Sequence, residues 1–85
     1  MEDKELVIQC QAGNLGVFSE LYDRYIDKIY KFVYIKTSNQ TTAEDITSDV
    51  FYKAMNSINT FKSNEESSSF KSWIYTIANN KVIDF

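Results

Sequence analysis

Between residues 17 and 85 the chain contains neither a proline nor a glycine. Proline removes a backbone donor and blocks the preceding turn, and glycine is the residue that most readily leaves the helical region. Nothing in that long stretch therefore forces the backbone out of a helix. The two glycines, Gly13 and Gly16, fall together near the start. An all-helical chain with one early turn is the fold class this pattern favours.

At 85 residues, one domain with one modest core is the ceiling. Hydrophobic residues make up 44%, enough to fold, and six Phe with six Tyr add large buried areas per side chain. No apolar run approaches the roughly 20 residues needed to span a bilayer. The opening, from Met1 to Glu5, is charged and lacks a signal-peptide pattern. Cys10 has no second cysteine to pair with and lies in an apolar stripe with Leu6 and Val7, so it reads as buried and structural. A reducing, cytoplasmic compartment is the default that follows.

Several chemistries are excluded. Without histidine there is neither a histidine-based triad nor a histidine zinc site, and one cysteine cannot build a thiolate cluster. Gly13 and Gly16 lack the Lys-Ser/Thr of a phosphate loop. The pair Asp23 and Asp27 lies on a polar helical face, where solvated charge explains it. No enzyme, metal or cofactor is expected. The net charge of −3 also argues against a free-standing nucleic-acid binder held by a strong basic field.

The spacing predicts about four helices in a compact bundle. The first covers residues 3–12, with Asp3 as its cap and Gly13 just past its end. A long second helix covers residues 15–36 and gathers Phe18, Leu21, Tyr22, Tyr25, Ile26, Ile29, Phe32 and Val33 on one face. Tyr34 points the other way. Residues 37–42 form a polar break, and Thr41 with Glu44, or Thr42 with Asp45, supplies a capping pattern for the third helix. That helix ends near Ile58. Residues 59–69 read as a polar loop bracketed by Phe61 and Phe70. The last helix then buries Phe70, Trp73, Ile74, Ile77, Ala78 and Phe85, with Trp73 at the core edge.

The third helix has two distinct faces. At about 100° per residue, Ala43, Ile46, Val50, Ala54 and Ile58 fall on one side and should be buried. Asp45, Ser48, Asp49, Tyr52 and Asn56 fall on the other. A solvated face is the bland explanation, and an acidic docking strip for a basic partner is the sharper one. Capping and the helix dipole account for Glu44 and Asp45 if they lie in the first turn. They do not account for Asp49.

Four segments together resemble region two of bacterial sigma factors of the extracytoplasmic-function group. Gly13 followed by Phe18-x-x-Leu21-Tyr22-x-x-Tyr25 is similar to that family's opening, and Ile29 to Val33 continues it. The run from Ala43-Glu44-Asp45-Ile46-Thr47 through Val50-Phe51 to Lys53-Ala54 resembles the family's Ala-Glu-Asp-Leu-Thr-Gln-Glu-Val-Phe-x-Lys-Ala. Phe70-x-x-Trp73-Ile74 with Ile77-Ala78-x-Asn80 and Ile83-Asp84 is similar to its last helix. The four stand in order over most of the chain.

The resemblance implies a single region-two-like domain over residues 1–85, and a longer protein with a basic segment and a second helical domain beyond it. It implies docking on the clamp helices of the RNA polymerase β′ subunit through Asp45, Ser48 and Asp49, flanked by Tyr52 and Asn56. Ser48 and Asp49 stand where the family usually has Gln and Glu, which shortens their reach to an arginine. The resemblance further implies recognition and melting of the promoter minus-ten element, on the non-template strand, by the last helix and the loop before it. Lys62, Ser63, Asn64, Lys71, Thr76, Asn79, Asn80 and Ile83 are the candidates. Asn80 leads them because it occupies the family's Asn and its amide suits a base edge. Polar groups of the loop would form the pocket for a flipped base. An anti-sigma factor is a further partner that the resemblance allows; membrane insertion is not expected.

One departure runs through the DNA side. Arginine is common in the family at the positions of Thr76 and Asn79, and neither is basic here. Beyond Thr60, Lys62, Lys71 and Lys81 are balanced by Glu65, Glu66 and Asp84. Duplex binding by this domain alone should therefore be poor. The competing expectation is a helical interaction module that keeps the polymerase or anti-sigma contact without DNA recognition. A helix-turn-helix repressor is disfavoured, because the segment before the last helix is too long for a tight turn.

Overall fold

The computed structural model of the chain describes residues 1–62 and 69–85. Four α-helices follow one another: α1 (Asp3–Gln11), α2 (Phe18–Thr37), α3 (Gln40–Ser57) and α4 (Phe70–Asp84). A 3₁₀ turn at Leu15–Val17 leads into α2, and another at Ile58–Thr60 extends α3. Among the described residues there is no strand. The expected all-helical bundle with a long second helix is what forms.

Gly13 ends α1 because the chain there takes φ 105°, a conformation that glycine adopts without a Cβ penalty. The turn closes through the Gly13 N–H donating to the Cys10 carbonyl at 3.1 Å and the Asn14 N–H to that of Gln9 at 3.0 Å. Asp3 is not the cap of α1. Glu2 holds that position without a side-chain bond. Asp3 lies inside the first turn, where its carboxylate accepts from Arg24 at 2.8 Å and from the Tyr25 hydroxyl. A cross-helix use of that carboxylate displaces the local one. At its other end α1 is tied by Gln11, whose amide donates to the Ile58 carbonyl at 2.9 Å and the Phe61 carbonyl at 2.7 Å.

The polar break between α2 and α3 is shorter than its composition suggests. Ser38 turns the chain at φ 54° and its N–H donates to the Tyr34 carbonyl at 2.7 Å. Asn39 is extended, and α3 begins at Gln40. A two-residue link makes α2 and α3 adjacent neighbours, and α4 packs against both.

One core unites the elements. Leu6, Val7 and Cys10 from α1, Leu21, Ile29 and Val33 from α2, Val50 and Ala54 from α3, and Ile74 and Ala78 from α4 are all buried. Burial pushes the Cys10 thiol up, as befits an inert structural cysteine. Phe18 and Phe70 meet edge to face with centroids 6.3 Å apart, in the same cluster as Ile46 and Val50. Trp73 is half-buried at the rim, tilted against Phe61 at 5.1 Å and Phe70 at 5.9 Å. Each fully buried aliphatic side chain contributes about 1.5–3 kcal/mol.

Three placements differ from the periodicity. Tyr22 is 41% exposed, its ring set edge-on against Phe51 rather than inside the core. Phe51 and Thr47 are buried instead, so the inner face of α3 is wider than the expected stripe. Phe85 is 76% exposed. Burial along α4 fades from Ala78 to half-buried Val82, so the core ends about a turn before the helix does.

Candidate functional site

The register of α3 is set by Asn39. Its side-chain oxygen accepts from the Thr42 N–H at 2.8 Å, which makes it the cap in place of Thr41 or Thr42. The first turn is then Gln40-Thr41-Thr42 and holds no acidic residue. Glu44 and Asp45 lie in the second turn, beyond the reach of capping, and dipole effects fall off within the first turn. The structural account of the acidic residues thus loses its basis for Asp45 as well as Asp49.

Asp45, Ser48, Asp49, Tyr52 and Asn56 all face solvent on the side of α3 opposite Ala43, Val50 and Ala54. Tyr52 is 68% exposed, a large aromatic with no core to serve. Among the described residues the only ion pair within 4 Å is Arg24–Asp3. Asp45 and Asp49 are accordingly bare carboxylates on a rigid helix. Chemically, such a strip offers charged acceptors and an aromatic face to a basic, hydrogen-bonding partner.

Two clefts flank this strip along the seam of α2 and α3. An apolar one of about 460 Å³ is lined by Leu15, Phe18, Tyr22, Phe51, Tyr52 and Met55. A polar one of about 360 Å³ is lined by Asp27, Tyr30, Glu44 and Thr47 among others, and Tyr22 and Ser48 border both. Sequence reasoning missed both clefts. The signal for them was Thr47 and Phe51, four residues apart and beside the stripe already recognised.

The candidate DNA face lies on α4. Ser69 caps this helix in a reciprocal pair with Ser72: the Ser72 N–H donates to the Ser69 hydroxyl at 3.1 Å, and the Ser69 N–H to that of Ser72 at 3.3 Å. Lys71, Thr76, Asn79, Asn80 and Ile83 are exposed on it, and Lys62 is exposed before it. Thr76 donates its hydroxyl proton to the Ser72 carbonyl at 2.9 Å, leaving an acceptor outward. The amide of Asn80 makes no hydrogen bond to the described residues, so the local helix-to-helix bond that would explain it structurally is not formed among them. Ser63 and Asn64, with most of the expected base pocket, lie outside the described residues.

The family model for sigma-70 region 2 matches residues 21–85. This chain belongs to that family. It is similar to the ECF RNA polymerase sigma factor BldN of Streptomyces coelicolor, with 41% identity over 80 residues covering 94% of this chain and 30% of that protein. It is also similar to the ECF sigma factor SigW of Bacillus subtilis, with 36% identity over 81 residues, or 95% of this chain and 42% of that one. The chain therefore spans less than half the length of these relatives. Among solved structures, an engineered region 2 of sigmaE in complex with GTAAAA superposes with a TM-score of 0.88 at 27% identity, covering 99% of this chain and 84% of that chain. BldN in its complex with RsbN gives a TM-score of 0.82 at 40% identity, covering 92% of this chain and 55% of that chain. The helical bundle expected from the sequence is thus shared with solved region 2 structures of sigma factors.

No described helix is long and apolar enough to cross a membrane. Among the described residues there is no group of three or more potential metal ligands.

Proposed function

We propose that the chain is the promoter-recognition domain of an extracytoplasmic-function sigma factor, acting with RNA polymerase in the cytoplasm. It docks through α3 on the clamp helices of the β′ subunit. Through α4 and the segment before it, the domain recognises and helps melt the minus-ten element on the non-template strand. The observation that carries this reading is the outward strip of α3, since its carboxylates serve neither cap nor dipole, nor an ion pair among the described residues. The sigmaE region 2 solved with GTAAAA supports the DNA side by analogy, and the RsbN complex of BldN supports a competing protein partner for the domain.

The balanced charge beyond Thr60 favours a second reading, an interaction module that binds polymerase or an anti-sigma factor without reading DNA. One experiment separates the two. With the domain held on polymerase, short single strands are selected from a randomised pool. Promoter recognition predicts an enriched motif whose enrichment falls in Asn80→Ala. A pool that stays random, with Asn80→Ala silent, leaves the interaction module standing.

A further inference from the structure

Gln11, the last residue of α1, reaches across the molecule. Its side-chain amide donates to the Ile58 carbonyl at 2.9 Å and to the Phe61 carbonyl at 2.7 Å, 47 and 50 residues further along the chain. A primary amide has two N–H donors, so both are committed here. Nothing in α1 asks for this. That helix closes without it, through the N–H groups of Ala12, Gly13 and Asn14. The carbonyls that Gln11 serves belong to the 3₁₀ turn after α3 and to the residue just past it. At Phe61 the backbone is already extended and heads for the segment before α4.

The Phe61 ring is buried and lies against Trp73 of α4, with centroids 5.1 Å apart; Trp73 in turn lies against Phe70 at 5.9 Å. Trp73, Ile77 and Asn80 recur at i, i+4 and i+7, so Trp73 begins the helical stripe on which Asn80 stands. Contact therefore runs from Gln11 to Phe61, from Phe61 to Trp73, and along α4 towards the leading candidate for a base contact. The far side of the segment is set independently, by the pair Ser69 and Ser72. At its other end α1 is held by Asp3, which accepts from Arg24 and Tyr25. With one end on α2 and the other on Phe61, α1 braces the DNA face without belonging to it. Packing would keep Phe61 near Trp73, but apolar contact is non-directional. Two hydrogen bonds to the backbone fix its direction, which is what a site that reads single bases requires.

We infer that Gln11 is a positioning residue for recognition of the minus-ten strand: its two hydrogen bonds hold Phe61, and through Phe61 the Trp73 flank of α4, in the geometry the strand meets. That this surface reads a strand rests on the function proposed above; that Gln11 sets Trp73 does not.

The test uses the intact chain and its single tryptophan, which makes emission a local reporter of Trp73. Gln11→Leu keeps the bulk and removes both donors, while Gln11→Lys keeps reach and donors. Val7→Ala is the control, since it weakens the buried side of the same helix and touches neither carbonyl. All are compared below their melting transitions. Gln11→Leu should red-shift Trp73 emission and raise its quenching by acrylamide; Gln11→Lys should restore the wild-type spectrum and Val7→Ala should not change it. With the domain held on polymerase, preference for the selected strand over a scrambled one should fall about tenfold in Gln11→Leu, the equivalent of one base contact. It should stay at the wild-type level in Gln11→Lys and Val7→Ala, with binding of the β′ clamp fragment unchanged throughout. A strut that only stabilises predicts otherwise: Gln11→Leu and Val7→Ala lower the melting temperature alike and leave emission and preference as in the wild type. That result overturns the inference, and so does a shifted Trp73 with an unchanged preference. If Gln11→Leu does not fold, Gln11→Glu, equal in length but without a donor at neutral pH, carries the same comparison. A wild-type domain without strand preference on polymerase sinks the promoter reading and this role with it. A wild-type preference that Gln11→Leu matches sinks only the role of Gln11.

Discussion

The outer faces of α3 and α4 are built on the same core and carry opposite kinds of chemistry. On α3, Asp45 and Asp49 stand bare beside an exposed tyrosine, a face that acts at a distance through charge. On α4, Thr76, Asn79 and Asn80 present neutral groups among balanced charges, a face that acts only on contact. The first suits recruitment and the second suits discrimination. On the proposed reading, such a domain needs a partner to bring it to DNA, because phosphate contacts supply much of the affinity of most DNA binders. Its net charge of −3, awkward for a DNA binder in isolation, is consistent with a domain that reads bases from within a larger assembly.

The comparison breaks most sharply at Asp49. Asp49→Lys should cost about 2–5 kcal/mol of clamp-helix binding, since it replaces an attractive charge by a repulsive one at a desolvated contact. Calorimetric titration measures the loss, and an unchanged circular dichroism spectrum shows that the fold is kept. The affinity of the wild type should fall steeply with salt, as exposed charges are screened beyond about 8–10 Å at physiological ionic strength. A shallow salt dependence would mean that the α3 face works by contact after all.

A control of similar size touches neither face. The Tyr25 hydroxyl is pushed up to about 12, first by burial and then by its hydrogen bond to Asp3 and that carboxylate's charge. Tyrosine in the unfolded chain ionises near 10, so the folded state holds this proton more tightly. The contribution is full below about pH 10 and is lost as pH rises through about 12. Unfolding free energy should drop by something on the order of 2 kcal/mol across that window, and Tyr25→Phe should remove the excess sensitivity. Denaturant titration at several alkaline pH values checks it. An equal drop in Tyr25→Phe would assign the effect to other groups.

On the α4 side the expected effect is smaller and of another kind. Asn80→Ala should lower binding of the selected strand by about 1–3 kcal/mol while leaving the scrambled strand unaffected. Its salt slope should stay unchanged, because a base contact releases no counterions. A mutation that weakens both strands equally would make Asn80 a positioning contact, and would narrow the difference between the two faces.

Much of this was legible because the information was periodic. Ala43, Ile46, Val50, Ala54 and Ile58 are buried as their spacing demands, and the opposite stripe is exposed to the last residue. The four family segments named the domain. What periodicity could not supply was the identity of edges and ends. Tyr22 shares its angle with buried neighbours, yet a ring at the seam of two helices can settle on Phe51 and keep its hydroxyl end wet. Phe85 has the correct angle and no helix to meet it. Asp3 was legible as a cap and is used instead by Arg24 and Tyr25, about twenty residues away, a choice that only tertiary structure makes. Ser63 and Asn64 remain expectations from resemblance alone.

The smallest predicted effect concerns the residue that separates the two explanations of the acidic strip. Two patterns in the sequence were expected to start α3, Thr41 with Glu44 and Thr42 with Asp45, and the structure uses a third, Asn39 with Thr42. Each satisfies free backbone donors at the start of a helix, so local sequence does not rank them. The link from α2 does: Ser38 turns the chain at φ 54° and Asn39, next in line, is already extended with its side chain over the Thr42 N–H. Removing the capping oxygen in Asn39→Ala should therefore cost about 1 kcal/mol of stability, within a usual range of 0.5–2, and Asn39→Gly only a few tenths. Urea unfolding measures both. Thr41→Ala should be nearly silent, whereas a start at Thr41 would reverse the ranking of the two alanine variants. Clamp affinity should be unchanged in Asn39→Ala, because the strip begins in the second turn and the rest of α3 is held by its buried face. If clamp binding falls along with stability, the strip depends on the first turn. Asp45 would then return to a structural role, and Asp49 would carry the docking alone.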